Sequence, residues 1–174
     1  MSQQVEAATE WASNAELIEA CHTLGYLRDS DYVLDPTYGD GIWWNRWRPA
    51  RLEANIHDNG GYDFRAMPYD DETFDAVAFD PPYVAPGGRE TSTLNMHHRY
   101  GMRTTPATPR LLHEMNAAGL AECARVVKPA TSREGPRPDE PDKPSGIILV
   151  KCQDYVWSQH LQMGTFWMIE AAHE

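Results

Sequence analysis

The sequence predicts an α/β protein with a mostly parallel sheet, because short apolar segments alternate with segments of helical periodicity. Residues 31–35, 74–79 and 146–151 form three short apolar runs. Such runs are typical of strands that are buried on both faces of a parallel sheet. A further strand is predicted over residues 53–58. The chain has 174 residues, a length for which one core and a single domain over residues 1–174 are expected.

Three helices are predicted from caps and from the spacing of apolar residues. Ser13 or Asn14 can cap the first helix, and apolar side chains at helical spacing follow over residues 17–24. The second is indicated by a similar pattern over residues 111–126. The third is expected over roughly residues 158–172, near the end of the chain.

The strand over residues 74–79 runs into the most informative motif of the chain, Asp80-Pro81-Pro82-Tyr83. Two consecutive prolines cannot continue a hydrogen-bonded ladder, and they hold the backbone extended. A carboxylate, free carbonyls and an aromatic ring therefore follow a strand's carboxyl end, where open α/β sheets bind ligands. Asp80 and the Pro81 carbonyl can accept both hydrogens of an amino group while Tyr83 stacks on a flat ring. The structural alternative is a Pro-Pro turn capped by a buried tyrosine.

A loop that contains two glycines follows the strand over residues 31–35. The segment 35–41 reads DPTYGDG, and an apolar stretch with a predicted helix N-terminus comes next. Glycine lets the backbone pass close to a ligand, and helix N-termini attract anionic groups. The loop is therefore a candidate ligand-binding element.

Together the two motifs resemble those of amino-methyltransferases, which move a methyl group from S-adenosylmethionine to the amino group of adenine or cytosine. The resemblance covers roughly residues 10–160, and a third motif, VKCQD at 150–154, is similar to small phage and bacterial members. It implies catalytic roles for Asp80, Pro81, Pro82 and Tyr83, and cofactor contacts from Asp35, Pro36, Thr37, Tyr38, Gly39 and Gly41. In the family the aromatic residue of the loop comes one place earlier, which leaves the contact made by Tyr38 open.

Two further acids stand where the cofactor is bound in relatives. Asp58 follows Asp35 at about the 20-residue spacing of acids that bind ribose hydroxyls in dinucleotide folds. The resemblance implies that Asp63 takes the adenine amino group and that Phe64 packs on the ring. For each acid taken alone, a solvated turn is the alternative, because Asp is frequent in turns.

The resemblance also implies a Rossmann-like methyltransferase fold, with about five strands in the order 3-2-1-4-5. The full fold adds an antiparallel hairpin after the last helix, and the residues after 151 are too few for it, so the hairpin is expected to be missing. The strand over 146–151 is then expected on an open sheet edge, which invites pairing with a second copy or with a partner protein.

Two segments are expected to lack regular structure. Residues 84–109 are rich in Gly, Pro, Thr and His, and a loop of this length suggests a mobile lid over cofactor and substrate. Arg99, Tyr100 and Arg103 within it are candidate substrate-binding residues. Residues 130–145 are charged and Pro-rich, a composition that predicts a disordered insertion.

Composition bounds the partners and the compartment. A formal net charge of −11 is unfavourable for a protein that must hold DNA by its phosphates, so a partner protein that supplies DNA affinity is an open alternative. No apolar run is long enough for a membrane span. The 3 cysteines are widely spaced, so we expect them to be free thiols, as is usual in the cytoplasm. Seven His residues show no metal-ligand spacing, and no metal is expected.

Three functions are compatible with these features. The first is methyl transfer from S-adenosylmethionine to a nucleobase amino group, with adenine in DNA preferred over RNA as the substrate. The second is an RNA or protein amide methyltransferase, which the acidic charge favours. The third is a non-catalytic protein that binds S-adenosylmethionine or another protein.

Overall fold

The computed structural model describes residues 11–56, 61–83, 106–129 and 146–173, with the backbone alone described for Trp157. The protein is α/β, as its sequence predicts, and its main sheet has four parallel strands in the order β2-β1-β3-β4. These strands are β1 (Tyr32–Asp35), β2 (Arg51–Ala54), β3 (Ala76–Phe79) and β4 (Ile147–Val150).

In the described part of the chain, three α-helices accompany the sheet: α1 (Asn14–Thr23), α2 (Pro109–Val126) and α3 (Gly164–Ala171). The Ser13 side chain caps α1 by accepting a hydrogen bond from the Glu16 amide, and Thr108 caps α2 in the same way. Proline is tolerated at the start of α2 because the first helical amides have no partner within the helix. The first two predicted helices are thereby confirmed.

Helices cover both faces of the sheet, because successive strand side chains point to opposite sides. Leu34, Val77 and Phe79 contribute to one hydrophobic core, which also contains buried residues of α2 and α3. The other core contains the neighbouring strand residues and Ile18 of α1. All four residues of β3 are buried, as its continuous apolar run predicts.

The parallel arrangement brings the segments after β1, β3 and β4 to one edge of the sheet. The register pairs Leu34 with Val77, and Phe79 with Val150. Residues 36–41, 80–83 and 151–154 therefore leave the sheet on the same side.

The prediction of about five strands in the order 3-2-1-4-5 is wrong for this sheet. Four strands are found, and no strand lies outside β2 among the described residues. The described part of the connection to β3, residues 61–75, consists mainly of turns. Within it the Asp63 side chain accepts a hydrogen bond from the Arg65 amide, and Glu72 has a positive φ of 56°. Side-chain turns of this kind compete with an extended strand for the backbone.

The C-terminal region contains a hairpin that the sequence does not reveal. Strands β5 (Tyr155–Trp157) and β6 (His160–Gln162) pair antiparallel in a separate sheet, so α3 begins at Gly164 and not near residue 158. Ser158 and Gln159 have positive φ values of 47° and 68°, as the two central residues of a tight hairpin turn do. Neither residue is the glycine or asparagine that marks such turns, which explains the overlong predicted helix. This hairpin precedes the last helix, whereas the hairpin expected to be missing would follow it.

Strand β4 lies at the end of the sheet, since among the described strands it pairs with β3 alone. This confirms the expected edge position, while pairing with a second copy stays a prediction. Within the described ranges, no helix is both long and apolar enough to cross a membrane. Cys21, Cys123 and Cys152 are free thiols.

Candidate functional site

The carboxyl ends of β1, β3 and β4 carry Asp35, Asp80 and Lys151 respectively. The two motifs that the sequence singles out therefore lie side by side on adjacent strands, β1 and β3. A third chain segment, that following β4, borders them. Ligands of open α/β sheets bind at this end of the strands.

Asp35 organises the glycine-containing loop from within. Its side chain is buried, and its two carboxylate oxygens accept hydrogen bonds from the Thr37 amide at 3.0 Å and from Trp44 Nε1 at 2.7 Å. Burial raises the pKa of Asp35 to about 7, against the lowering effect of these donors. Because both oxygens are engaged inside the protein, the structure gives Asp35 a role in shaping the loop.

Thr37 connects the loop to the second motif. The backbone amide of Asp80 donates a hydrogen bond of 2.8 Å to Thr37 Oγ1, and the threonine is buried. A side chain without an acceptor oxygen could not make this link. Thr37 therefore fixes the start of the second motif to the loop after β1.

Gly39 and Gly41 both have left-handed backbones, with φ values of 53° and 68°. A side chain would be strained at either position. At Gly41 an added Cβ would also overlap the ring of Tyr38, so the aromatic residue of the loop packs directly over the second glycine. A contact of Tyr38 with a cofactor stays a prediction.

The helix predicted after this loop is a single turn of 3₁₀-helix, Ile42–Trp44. Trp43 and Trp44 are buried, and the indole of Trp44 turns back to Asp35. Pro49 follows a few residues later, where it cannot continue a helix. A one-turn element of this kind does not provide the α-helical N-terminus that the sequence suggests.

The second motif is held against α2. Pro81 and Pro82 are buried, while Asp80 and Tyr83 are half-buried. The Pro82 carbonyl accepts a hydrogen bond of 2.7 Å from Asn116 Nδ2, which fixes the turn to the helix. The side chains of the motif that are assigned to substrate are thus more accessible than its prolines.

A small cleft lies beside the second motif, between α2, α3 and the segment after β4. Its wall includes Pro81, Tyr83, His113, Asn116 and Lys151.

Two polar residues of α2 line this cleft and were not predicted from the sequence. His113 and Asn116 are buried, and within the described residues His113 Nδ1 and Asn116 Oδ1 have no hydrogen-bond partner. Burial lowers the pKa of His113, which favours its neutral form, and its Nε2 lies 3.3 Å from the Tyr155 hydroxyl. The available signal was their place on the apolar face of a helix, between Leu112 and Leu120.

The other predicted cofactor residues that can be described lie apart from this cleft. Asp63 is exposed and pairs with Arg65, whose guanidinium lowers the pKa of the carboxyl group. Phe64 is 1% exposed and packs edge-on against Phe79, so its ring belongs to the core. The exposed Asp63 carboxylate can contact a ligand, whereas the Phe64 ring packs in the core beneath the turn that carries Asp63.

Asn55 is a further residue that sequence reasoning missed. Its buried side-chain amide donates to the carbonyls of Pro36 and Tyr62 and accepts from the Tyr62 amide. It therefore fastens the loop after β1 to the segment that carries Asp63. A polar residue directly after a strand was the only signal in the sequence.

Several predicted residues lie outside the described part of the chain. These are Asp58, Arg99, Tyr100 and Arg103, together with residues 84–105 of the expected lid and the expected insertion at 130–145. The end of the expected lid is described, and Pro109 already belongs to α2.

Some residues of the third motif border the cleft, and another has a structural role. Lys151 Nζ lies 3.7 Å from Asp80 Oδ1 and 5.1 Å from the centroid of the Tyr83 ring. Gln153 also borders the cleft. Asp154 accepts a hydrogen bond from the Thr165 amide in the first turn of α3, which is a structural role.

No group of three or more His, Cys, Asp or Glu side chains in the described ranges is arranged to hold a metal ion. No protein-family model matches the chain, and a comparison with curated proteins finds no match. Functional inference therefore depends on the site itself.

Proposed function

We propose that this protein has a Rossmann-like methyltransferase fold and transfers a methyl group from S-adenosylmethionine to an exocyclic amino group of a nucleobase, with adenine in DNA as the first substrate. The observation that carries the proposal is the hydrogen bond from the Asp80 amide to Thr37 Oγ1. It supports the proposal because the segment assigned to the cofactor and the segment assigned to the target amine adjoin, at the sheet edge where such folds bind ligands.

The residues of the second motif have defined tasks in this proposal. Asp80 and the Pro81 carbonyl accept the two hydrogens of the target amino group. Holding both hydrogens draws the nitrogen lone pair out of conjugation with the ring, which makes the amine a better nucleophile. Tyr83 stacks on the ring, and a base in a duplex must first be flipped out.

The loop after β1 fits the cofactor that the proposal requires. The left-handed backbone at Gly39 and Gly41 lets the main chain approach a ligand, and the exposed carboxylate of Asp63 can accept from an adenine amino group. When bound there, S-adenosylmethionine would supply an electrophilic methyl group on a sulfonium. Asp35 and Asn55 would hold the loop in shape and make no contact with the cofactor themselves.

The acidic charge of the chain favours a second candidate. The formal net charge of −11 is unfavourable for long-range attraction to the phosphates of duplex DNA, and a protein amide substrate has no phosphates to be held. The same motif can hold an amide or guanine amino group. A transfer assay with each substrate distinguishes these candidates.

The test is transfer of labelled methyl from S-adenosylmethionine to duplex DNA, single-stranded DNA, RNA and a glutamine-containing peptide. We expect label in one of these, and a loss of about 100-fold or more in Asp80→Ala, because the amine then loses the side-chain acceptor that positions it. Cofactor binding measured by calorimetry should be unchanged in that variant. Asp71→Ala is the matched control, since this carboxylate is 74% exposed and pairs with Arg125.

Equal transfer by Asp80→Ala and the wild type would contradict the assigned role of Asp80. Cofactor binding without label in any substrate would instead support the non-catalytic reading.

A further inference from the structure

A single ammonium group contacts both side chains that the proposed function assigns to the target base. Lys151 Nζ lies within ion-pair distance of Asp80 Oδ1, at 3.7 Å, and over the ring of Tyr83, at 5.1 Å from its centroid. The Lys151 and Asp80 side chains are 25% and 21% exposed. Because both are largely withdrawn from water, salt screens this pair less than it screens a surface pair.

The ammonium group is also held from a third side. With the Asn14 amide oriented toward its donors, the amide oxygen lies 3.3 Å from Lys151 Nζ and 3.3 Å from Trp43 Nε1. Asn14 is the first residue of α1, and Trp43 is buried in the core between α1 and the sheet. The position of the lysine is thus fixed by parts of the fold that do not belong to the motif.

We propose that Lys151 is a positioning residue, which holds Asp80 and Tyr83 in the relative orientation that the target amine and its ring require. The inference rests on the proposed function. A carboxylate offers about four acceptor positions, and an aromatic ring has two faces. Lys151 can therefore keep its contacts with both groups while a substrate takes the remaining positions.

Removal of the ammonium group takes one contact away from each of the two side chains. Asp80 and Tyr83 then sample further rotamers, and a smaller fraction of the molecules has the two groups aligned at one time. Loss of alignment lowers the rate of transfer more than it lowers the binding of the cofactor, which is assigned to another part of the edge. A lysine that merely obstructed the cleft would have the opposite signature, a lower KM for the substrate on its removal.

The experiment compares Lys151→Met, which keeps the unbranched stem and removes the charge, with Lys151→Arg, which keeps the charge. Lys128→Met is the matched control, because Lys128 also pairs with an aspartate, Asp75, at 2.9 Å but at the amino end of β3. We expect kcat for the nucleobase substrate to fall about 10- to 100-fold in Lys151→Met, with partial recovery in Lys151→Arg. The KM for S-adenosylmethionine should match that of Lys128→Met. An unchanged kcat in Lys151→Met, whether with the same or a lower substrate KM, would overturn the inference.

A measurement without substrate separates this inference from the proposed function. In protein with ring-labelled tyrosine, the Tyr83 resonance, assigned with Tyr83→Phe, should shift in Lys151→Met and stay in place in Lys128→Met. A shift together with a wild type that methylates nothing would show that the contact exists and that the proposed function fails. Transfer by the wild type with no shift and no change of kcat in Lys151→Met would show that the function holds and the positioning role does not.

Discussion

Replacing Thr37 with valine tests the link between the two motifs directly. Valine keeps the branched shape at a buried position but removes the oxygen that accepts from the Asp80 amide at 2.8 Å. An amide that loses its acceptor in a part-buried site costs about 1–3 kcal/mol. For a chain of this size, about 2 kcal/mol corresponds to a fall in Tm of roughly 4–8 °C.

The effect on activity follows from the same contact. Asp80 starts the second motif, so a shift of its backbone displaces the carboxylate that receives the target amine. We expect methyl transfer to fall about tenfold, since small displacements of reacting groups have effects of this order or larger. Cofactor binding by calorimetry should weaken as well, because Thr37 lies in the loop after β1.

Thr23→Val is the control for the loss of a hydroxyl. Thr23 is exposed at the end of α1, where its hydroxyl donates to the Glu19 carbonyl within the same helix. Its unfolding transition should stay close to that of the wild type. If Thr37→Val were as stable and as active as Thr23→Val, the link between the motifs would have no energetic weight and the reasoning would be refuted.

Two further predictions concern stability. Burial raises the pKa of Asp35 to about 7, so between about pH 4 and pH 7 the folded protein keeps a proton that the unfolded chain has lost. The stronger binding of this proton by the folded state contributes fully to the free energy of unfolding below about pH 4, and the contribution is lost as the pH rises to about 7. Urea unfolding of the wild type and Asp35→Asn should therefore diverge over that window, and parallel curves would show that Asp35 is ionised throughout. In Gly119→Ala the new Cβ would lie 2.6 Å from a ring atom of Phe64 and 2.7 Å from one of Phe79. We therefore expect the free energy of unfolding to fall by about 1–3 kcal/mol, although alanine normally stabilises a helix relative to glycine. A raised Tm in this variant would contradict the described packing.

The buried strands and the first two helices follow from the sequence because local signals agree with the tertiary environment there. The apolar run of β3 is buried on both faces, and Ser13 caps α1. Prediction failed where the deciding contact is distant or the turn is unusual. The hairpin turn at Ser158 and Gln159 has no glycine, and the indole of Trp44 turns inward to a carboxylate at the end of β1.

The candidate site shows the same division. The two motifs and their meeting at one sheet edge could be predicted, since the ends of parallel strands converge. The partners of the motifs could not, because they come from remote segments: Asn116 holds the Pro82 carbonyl, Lys151 contacts Asp80, and Asn55 holds the Pro36 carbonyl. Such polar residues inside apolar patterns become meaningful only when the fold brings them beside a motif.

The measurement that tests the central claim most directly is mass spectrometry of nucleosides from DNA and RNA incubated with the protein and S-adenosylmethionine. We expect a base methylated on its exocyclic amino group with the wild type and none above background with Asp80→Ala. Unmodified bases in every nucleic acid, with S-adenosylmethionine binding intact, would contradict it.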